Sequence, residues 1–115
     1  MQDHDTDSPR ASFERATTFL RAGDAVLAER ICRQALNAHP RDANLLCLLG
    51  ATLIKQEKPD EAQHTLSRAA RLFNDFSRAH EGLAEALIMQ GKLPEALKSL
   101  ERAADLEPGS ASIRE

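Results

Sequence analysis

The chain has 115 residues, which suffices for one domain, and 42% of them are hydrophobic while 29% are charged. Aromatic residues make up only 3%, and the helix formers Ala, Leu, Glu, Arg and Gln dominate, so the composition favours a soluble all-α protein. The net charge of −3 argues against a general nucleic-acid role, and two cysteines are too few for a disulfide framework.

Six helices are predicted, and capping residues and helix breakers set their boundaries. Ser8 and Pro9 begin the first helix, after a leader over residues 1–8 that we expect to be disordered. Gly23 ends that helix, and Asp24 caps the next one. In chain order the predicted helices are α1 (9–22), α2 (25–38), α3 (43–56), α4 (59–72), α5 (77–90) and α6 (94–106).

The later boundaries carry similar signals. Pro40 pushes the residue before it out of the helical region and so ends α2, and Asp42 is a good N-cap for α3. Gly91 ends α5, and Pro94 opens α6. Residues 111–115 would begin a seventh helix. The chain is thus predicted to form three antiparallel helix pairs joined by short loops.

Small residues recur in this chain with a period of 34 residues. Such a period indicates stacked supersecondary units, in which helices cross closely at Ala and Gly. It favours a binding scaffold over a catalytic pocket. The three columns are Ala16, Gly50 and Ala84; Ala28, Ala62 and Ala96; and Ala35, Ala69 and Ala103.

The period resembles that of the tetratricopeptide repeat family, whose 34-residue unit has the pattern W-x₂-L-G-x₂-Y, then A-x₃-F, then A, then P. The second unit matches it with Leu46, Leu49, Gly50 and Leu53 in its first helix, followed by Ala62, Leu66 and Ala69. Ser12 and Arg15 in the first unit and Asn74 in the second depart from the pattern. The resemblance implies a right-handed α-α superhelix of three units, 9–42, 43–76 and 77–110.

In this family the first helix of each unit, here called the A helix, lines a concave groove that holds a peptide or a partner helix. The matching residues form an apolar centre with charges at its ends, which suits a protein ligand. Glu81 and Glu85, one helical turn apart, would contact a basic residue of such a partner, although they also fit a merely solvated face. The expected groove residues are Arg10, Phe13, Thr17, Leu20, Arg21, Asn44, Cys47, Leu48, Ala51, Ile54, Lys55, Arg78, Glu81, Glu85, Ile88 and Met89.

One subtype of the family clamps the C-terminal carboxylate of chaperones with Lys, Asn, Asn, Lys and Arg. The matching positions here hold Phe13, Thr17, Leu48, Arg78 and Gly82, so a carboxylate would lack paired donors. We therefore do not expect this chain to hold a chaperone tail. The chain is also similar, loosely, to tetratricopeptide segments that precede bacterial sulfotransferase-type enzyme domains.

The C-terminal unit lacks the polar helix that usually covers the end of such an array. Leu97, Leu100 and Ala104 on α6 are therefore expected to be partly uncovered. Either the chain is a piece of a longer protein, or this face forms a homodimer. An accessory domain of an enzyme whose catalytic part is elsewhere is a further alternative.

Side chains for catalysis or metal binding do not cluster in the sequence. The four histidines lack metal-ligand spacing, Cys32 and Cys47 lie 15 residues apart, and the isolated glycines form no phosphate-binding loop. No metal, cofactor or enzymatic activity is expected, and His80 and the cysteines are interpreted as packing residues. Without a signal peptide or a membrane-spanning stretch, the expected location is the bacterial cytoplasm. The predicted function is protein–protein interaction as a scaffold.

Overall fold

The computed structural model describes residues 8–107, in which six α-helices follow one another without strands. The sequence-based boundaries are confirmed to within one residue: α1, α3 and α5 each end one residue earlier than predicted, and α6 begins one residue earlier, with Pro94 at its second position. The helices are α1 (Pro9–Arg21), α2 (Ala25–Ala38), α3 (Ala43–Lys55), α4 (Pro59–Leu72), α5 (Ser77–Met89) and α6 (Leu93–Leu106).

Side-chain caps explain where three of the helices begin. The Ser8 hydroxyl accepts a hydrogen bond from the Ala11 amide at 3.0 Å, so Ser8 is the N-cap of α1 and not part of a leader. Asp24 caps α2 and Asp42 caps α3 in the same way, as predicted. The expectations for the rest of the leader, for Pro108 and for a seventh helix at 111–115 lie outside the described residues.

The turn inside each helix pair needs a left-handed residue at one repeated position. Gly23 has φ +91° and Gly91 has φ +78°, and these residues lie 68 positions, or two periods, apart. The intervening equivalent is Glu57, which adopts φ +60°. Because a side chain in this conformation costs about 1–2 kcal/mol, the middle turn is strained where the outer two are relaxed.

Each helix packs against the next one along the chain, and the A helices α1, α3 and α5 also contact one another in sequence. The result is an elongated array of 52 × 28 × 25 Å. Since α1 contacts α3 and α3 contacts α5, the A helices form the closely spaced layer of the array. Residues one period apart on these helices are therefore neighbours on a single surface.

The small columns lie at the helix crossings, as predicted. All nine residues are buried, from fully buried at Ala62 to 8% exposed at Ala35. The tightest approach is at Gly50, where an added Cβ atom would lie 2.5 Å from Cγ of Leu66. The Leu66 side chain, 1% exposed, thus fills the space left by the missing side chain of Gly50.

A repeated amide contact ties α3 and α5 to the preceding helix pair. Gln56 Nε2 donates to Glu29 Oε1 at 2.8 Å, and one period later Gln90 Nε2 donates to Gln63 Oε1 at 2.7 Å. The hydrogen bond from Gln56 lowers the pKa of Glu29, more than its partial burial raises it, and Arg33 adds to the lowering. These contacts join the C-terminal ends of α3 and α5 to the helix that precedes each of them.

Candidate functional site

The three A helices together form one apolar-floored cavity of about 200 Å³. Equivalent positions on α1, α3 and α5 contribute its walls, because the A helices lie side by side. Nine of the residues expected in the groove line it: Phe13, Asn44, Cys47, Leu48, Ala51, Ile54, Arg78, Glu81 and Glu85. We call this set, together with Leu66 and Gly82, the central groove.

The other expected groove residues lie away from this cavity. Arg10 lines a neighbouring cavity at the N-terminal ends of the A helices, which shares Phe13, Asn44 and Arg78 with the central groove. Together the two cavities extend from Arg10 in the first turn of α1 to Ile54 in the last turn of α3. The residues that line neither of these two cavities are Thr17, Leu20, Arg21, Lys55, Ile88 and Met89.

These outlying residues differ in their environment. Leu20 is partly buried against the core, whereas Ile88 and Met89 are exposed. Arg21 and Lys55 are exposed at the C-terminal ends of their helices. They extend the surface beyond the central groove but do not enclose a space with it.

Two residues of the central groove were missed by the sequence-based reasoning. Leu66 comes from α4, which is not an A helix, and its side chain reaches between α3 and α5 to form part of the groove floor. Gly82 occupies the position that is Leu48 one period earlier, so the side chain that would fill this part of the surface is absent. A glycine inside a helix lowers the stability of the helix by about 1 kcal/mol relative to Ala. The presence of Gly82 in the middle of a predicted helix was therefore the sequence signal that this position has a packing or functional role.

The floor of the groove is formed by residues that also belong to the hydrophobic core. Cys47 and Leu48 are buried, and Phe13, Ala51 and Ile54 are partly buried against the same core cluster. The two interpretations of Leu48, core or groove, are therefore not exclusive. A floor made of core residues is rigid, which reduces the ordering cost of binding.

The charges at the rim of the groove are unevenly placed. Glu81 and Glu85 are exposed on α5. The residues equivalent to Glu81 in the earlier units are Phe13 and Cys47, and those equivalent to Glu85 are Thr17 and Ala51. Within residues 8–107, the ion pairs join Arg10 to Glu14 and Arg33 to Glu29 and Glu61. Neither carboxylate of α5 takes part in one of these pairs.

The thiols do not offer reactive chemistry at neutral pH. Burial raises the pKa of Cys32 to about 12 and the pKa of Cys47 to about 11, and nearby Arg33 and Arg78 offset this only partly. Both side chains are therefore protonated and poorly nucleophilic. Cys47 contributes apolar surface to the groove floor.

Leucine side chains are exposed on the outer face of α6. Leu97 is 56% exposed and Leu100 is 43% exposed, while Ala104 is partly buried, as expected. The residues equivalent to Leu100 in the earlier units are Cys32 and Leu66. Both are buried beneath the A helix that follows them. In the first two units the following A helix therefore covers the face that is exposed on α6.

Other sequence features have structural explanations. His80 is 8% exposed, and its Nε2 lies 3.0 Å from the carbonyl oxygen of Asn74, to which it donates in one tautomer. Among residues 8–107, no three His, Cys, Asp or Glu side chains are grouped so that they could hold a metal ion. In the same part of the chain, no helix combines the length and the apolar character that crossing a membrane requires.

Solved structures with similar folds include several tetratricopeptide domains. The second such domain of Spaghetti (RPAP3), bound to the HSP90 peptide SRMEEVD, is 22% identical with a TM-score of 0.82, and the match covers 93% of this chain and 100% of that one. The Yersinia enterocolitica type III secretion chaperone SycD, in complex with a peptide of the translocator YopD, is 22% identical with a TM-score of 0.81, covering 91% and 80%. At these identities the likeness shows a shared fold.

A larger protein contains a similar segment. A mutant O-GlcNAc transferase of Thermobaculum terrenum is 28% identical with a TM-score of 0.84, and the match covers 94% of this chain but 20% of that one. Comparison with curated proteins gave no match. The family model described as tetratricopeptide repeat matches residues 47–111, which is more than half of the chain. The chain, with its buried 34-residue columns and paired helices, therefore belongs to the tetratricopeptide repeat family.

Proposed function

We propose that this chain is a protein-interaction module that holds a segment of another protein in the central groove. The observation that carries the proposal is the cavity between α1, α3 and α5, which combines a floor of core residues with a charged rim. A pocket that is apolar inside and polar at its edge is typical of sites that bind protein segments. The three units of the scaffold are 9–42, 43–76 and 77–110.

The size of the groove suits one anchoring side chain. An engineered apolar cavity of about 150 Å³ holds a benzene ring, so about 200 Å³ accommodates one large aliphatic or aromatic side chain. The rest of an extended peptide or helix would lie across the rim. The peptides held by the Spaghetti (RPAP3) domain and by SycD support a ligand of this class.

The clamp positions argue for a ligand other than a chaperone tail. Phe13, Leu48 and Gly82 line the central groove where the carboxylate-binding subtype has polar or cationic side chains. A buried carboxylate there would meet apolar carbon instead of paired donors, which is costly. We therefore propose an internal peptide segment or a helix as the ligand.

The test is to select peptides from a displayed random library against the intact chain and to measure their affinities by fluorescence anisotropy. Ala51→Leu would fill part of the cavity, whereas Ala38→Leu makes the same change at an exposed position outside the groove. We expect selected peptides to bind the wild type and Ala38→Leu alike and to bind Ala51→Leu at least about 10-fold more weakly, a loss of about 1.4 kcal/mol.

Circular dichroism would verify that both variants keep the helical fold. Peptides that bind Ala51→Leu as tightly as the wild type would place the binding site elsewhere. Failure to select any peptide under conditions where the chain is folded would count against the proposal as a whole.

A second candidate function is self-association through α6. Leu93, Leu97 and Leu100 are 59%, 56% and 43% exposed along one face of this helix, and apolar stripes of this kind mark contact surfaces. Sedimentation velocity over a range of concentrations tests it. A monomer at high micromolar concentration would eliminate this candidate without affecting the groove proposal.

A further inference from the structure

We propose that the central groove selects a segment in which an apolar side chain is flanked by a basic one. The apolar side chain would fill the cavity over Gly82 and Leu66, and the cation would contact Glu81 and Glu85. This inference rests on the proposed function and specifies the chemistry of its ligand. It follows from three features of the third unit.

The first feature is the absence of a side chain at Gly82. The equivalent residues are Glu14 and Leu48, so only the third unit has no side chain at this position. An added Cβ atom at Gly82 would lie 3.0 Å from Cδ2 of Leu66, so the Leu66 side chain packs against α5 at Gly82 and lines the cavity together with it. The apolar floor of the cavity therefore lies beside α5, the helix that carries the charged residues of the rim.

The second feature is the pair of carboxylates on that same helix. Glu81 and Glu85 both line the cavity, and they lie one turn apart, where Cβ atoms are separated by about 5–6 Å. At that separation one guanidinium or ammonium group can approach both carboxylates. Two like charges at this spacing also repel each other slightly, so a cation between them relieves an unfavourable interaction.

The third feature is that neither glutamate forms an ion pair among the residues that the structure describes. One basic residue lines the cavity: Arg78, three residues before Glu81 on α5, which forms no ion pair within 4.0 Å among residues 8–107. Lys55 is exposed at the end of α3 and lines neither cavity. Both carboxylates are therefore available to a cation of the ligand, which we expect to contact them on the side away from Arg78.

The two carboxylates lie on only one wall of the groove, so their charge can select the direction in which a ligand binds. On the walls formed by α1 and α3, the positions equivalent to Glu81 hold Phe13 and Cys47. The position equivalent to Glu85 on α3 holds Ala51. A ligand cation is thus favoured on one side of the anchor only, which fixes the direction of the bound segment. Charged contacts of this kind contribute modestly to affinity and strongly to the choice of partner.

The experiment uses an array of short synthetic peptides with Leu or Phe fixed at the centre and Arg, Gln or Glu at each flanking position in turn. We expect Arg at one flanking position to bind the intact chain about 5-fold or more tightly than Gln, and Glu to bind least. The preference should shrink as ionic strength rises, because the carboxylates are exposed.

Two double variants identify the source of the preference. Glu81→Gln with Glu85→Gln should abolish the preference for Arg, while Glu95→Gln with Glu101→Gln changes the net charge equally at exposed positions on α6 and should preserve it. Replacing Glu81 and Glu85 by Arg should reverse it in favour of Glu. All four positions are exposed, so the fold should be retained, and circular dichroism verifies this.

The outcomes separate this inference from the function on which it rests. Peptides that bind in the groove without a preference for Arg, or with a preference that survives Glu81→Gln with Glu85→Gln, would overturn the inference and leave the peptide-binding function standing. A preference for acidic flanks would also overturn it. If no peptide binds, both fail together.

Discussion

The contact between Leu66 and the two glycines that flank it gives a sharp test of the packing. Gly50→Ala and Gly82→Ala add the same methyl group to the two helices on either side of one side chain. Both substitutions improve helix propensity by about 1 kcal/mol. The difference between the two variants therefore isolates the cost of the contact with Leu66.

The distances predict that this cost is much larger at Gly50. The new Cβ atom would lie 2.5 Å from Cγ and 2.7 Å from both Cδ atoms of Leu66, so the whole buried side chain must move. At Gly82 the closest distances are 3.0 and 3.2 Å, which a shift of a few tenths of an ångström relieves. Overpacking typically costs about 1–3 kcal/mol, so we expect Gly50→Ala to be less stable than Gly82→Ala by about that amount.

Urea unfolding followed by circular dichroism measures the difference directly. The corresponding difference in Tm is several degrees, since 1 kcal/mol corresponds to roughly 4–8 °C in a domain of this size. Leu66→Ala in the Gly50→Ala background provides the control, because it removes the atoms that clash and should couple favourably with Gly50→Ala in a double-mutant cycle. Equal stability of the two glycine variants would refute the packing described for Leu66.

Three further predictions follow from individual residues. Glu57→Gly should raise the free energy of unfolding by up to about 1 kcal/mol, because it relieves a left-handed side chain at the position where the other units have glycine, and a lower Tm would contradict this. The pKa of Glu29 is lowered in the folded state, so ionised Glu29 stabilises the fold fully above its ordinary pKa of about 4.3, and this stabilisation is lost as the pH falls through the lower folded-state value. Glu29→Gln should therefore lose less stability than the wild type in this acidic range. Parallel pH profiles of the two proteins would disprove the role given to Glu29. Cys32, which is fully buried, should react with a thiol reagent at neutral pH only as fast as the chain unfolds, and rapid labelling of Cys32 in a Cys47→Ala variant would be inconsistent with its burial and raised pKa.

Local signals made the helices predictable. Asp24 and Asp42 cap helices through bonds within three residues, and Gly91 ends one through its own backbone conformation, so these boundaries need no knowledge of distant parts of the chain. The small columns were predictable because a 34-residue period repeats the same crossing. The sequence shows only that Glu57 stands at a position where the other two units have glycine. It does not by itself show that Glu57 adopts a left-handed conformation.

The groove was less predictable because its shape depends on contacts between helices. The period correctly brought Phe13, Cys47 and Glu81 to one surface. It did not indicate that Leu66 on α4 reaches this surface, since that depends on the missing side chains of Gly50 and Gly82. Ile88 and Met89 share the helical face of Glu85, but the enclosed space stops short of them.

The most direct test of the central claim is a map of amide chemical-shift changes when a selected peptide is added to the isotope-labelled chain. If the central groove is the binding site, the largest changes fall on cavity-lining residues of α1, α3 and α5, among them Ala51, Gly82 and Glu85. Changes concentrated on the exposed face of α6, around Leu97 and Leu100, with none in the central groove would contradict it.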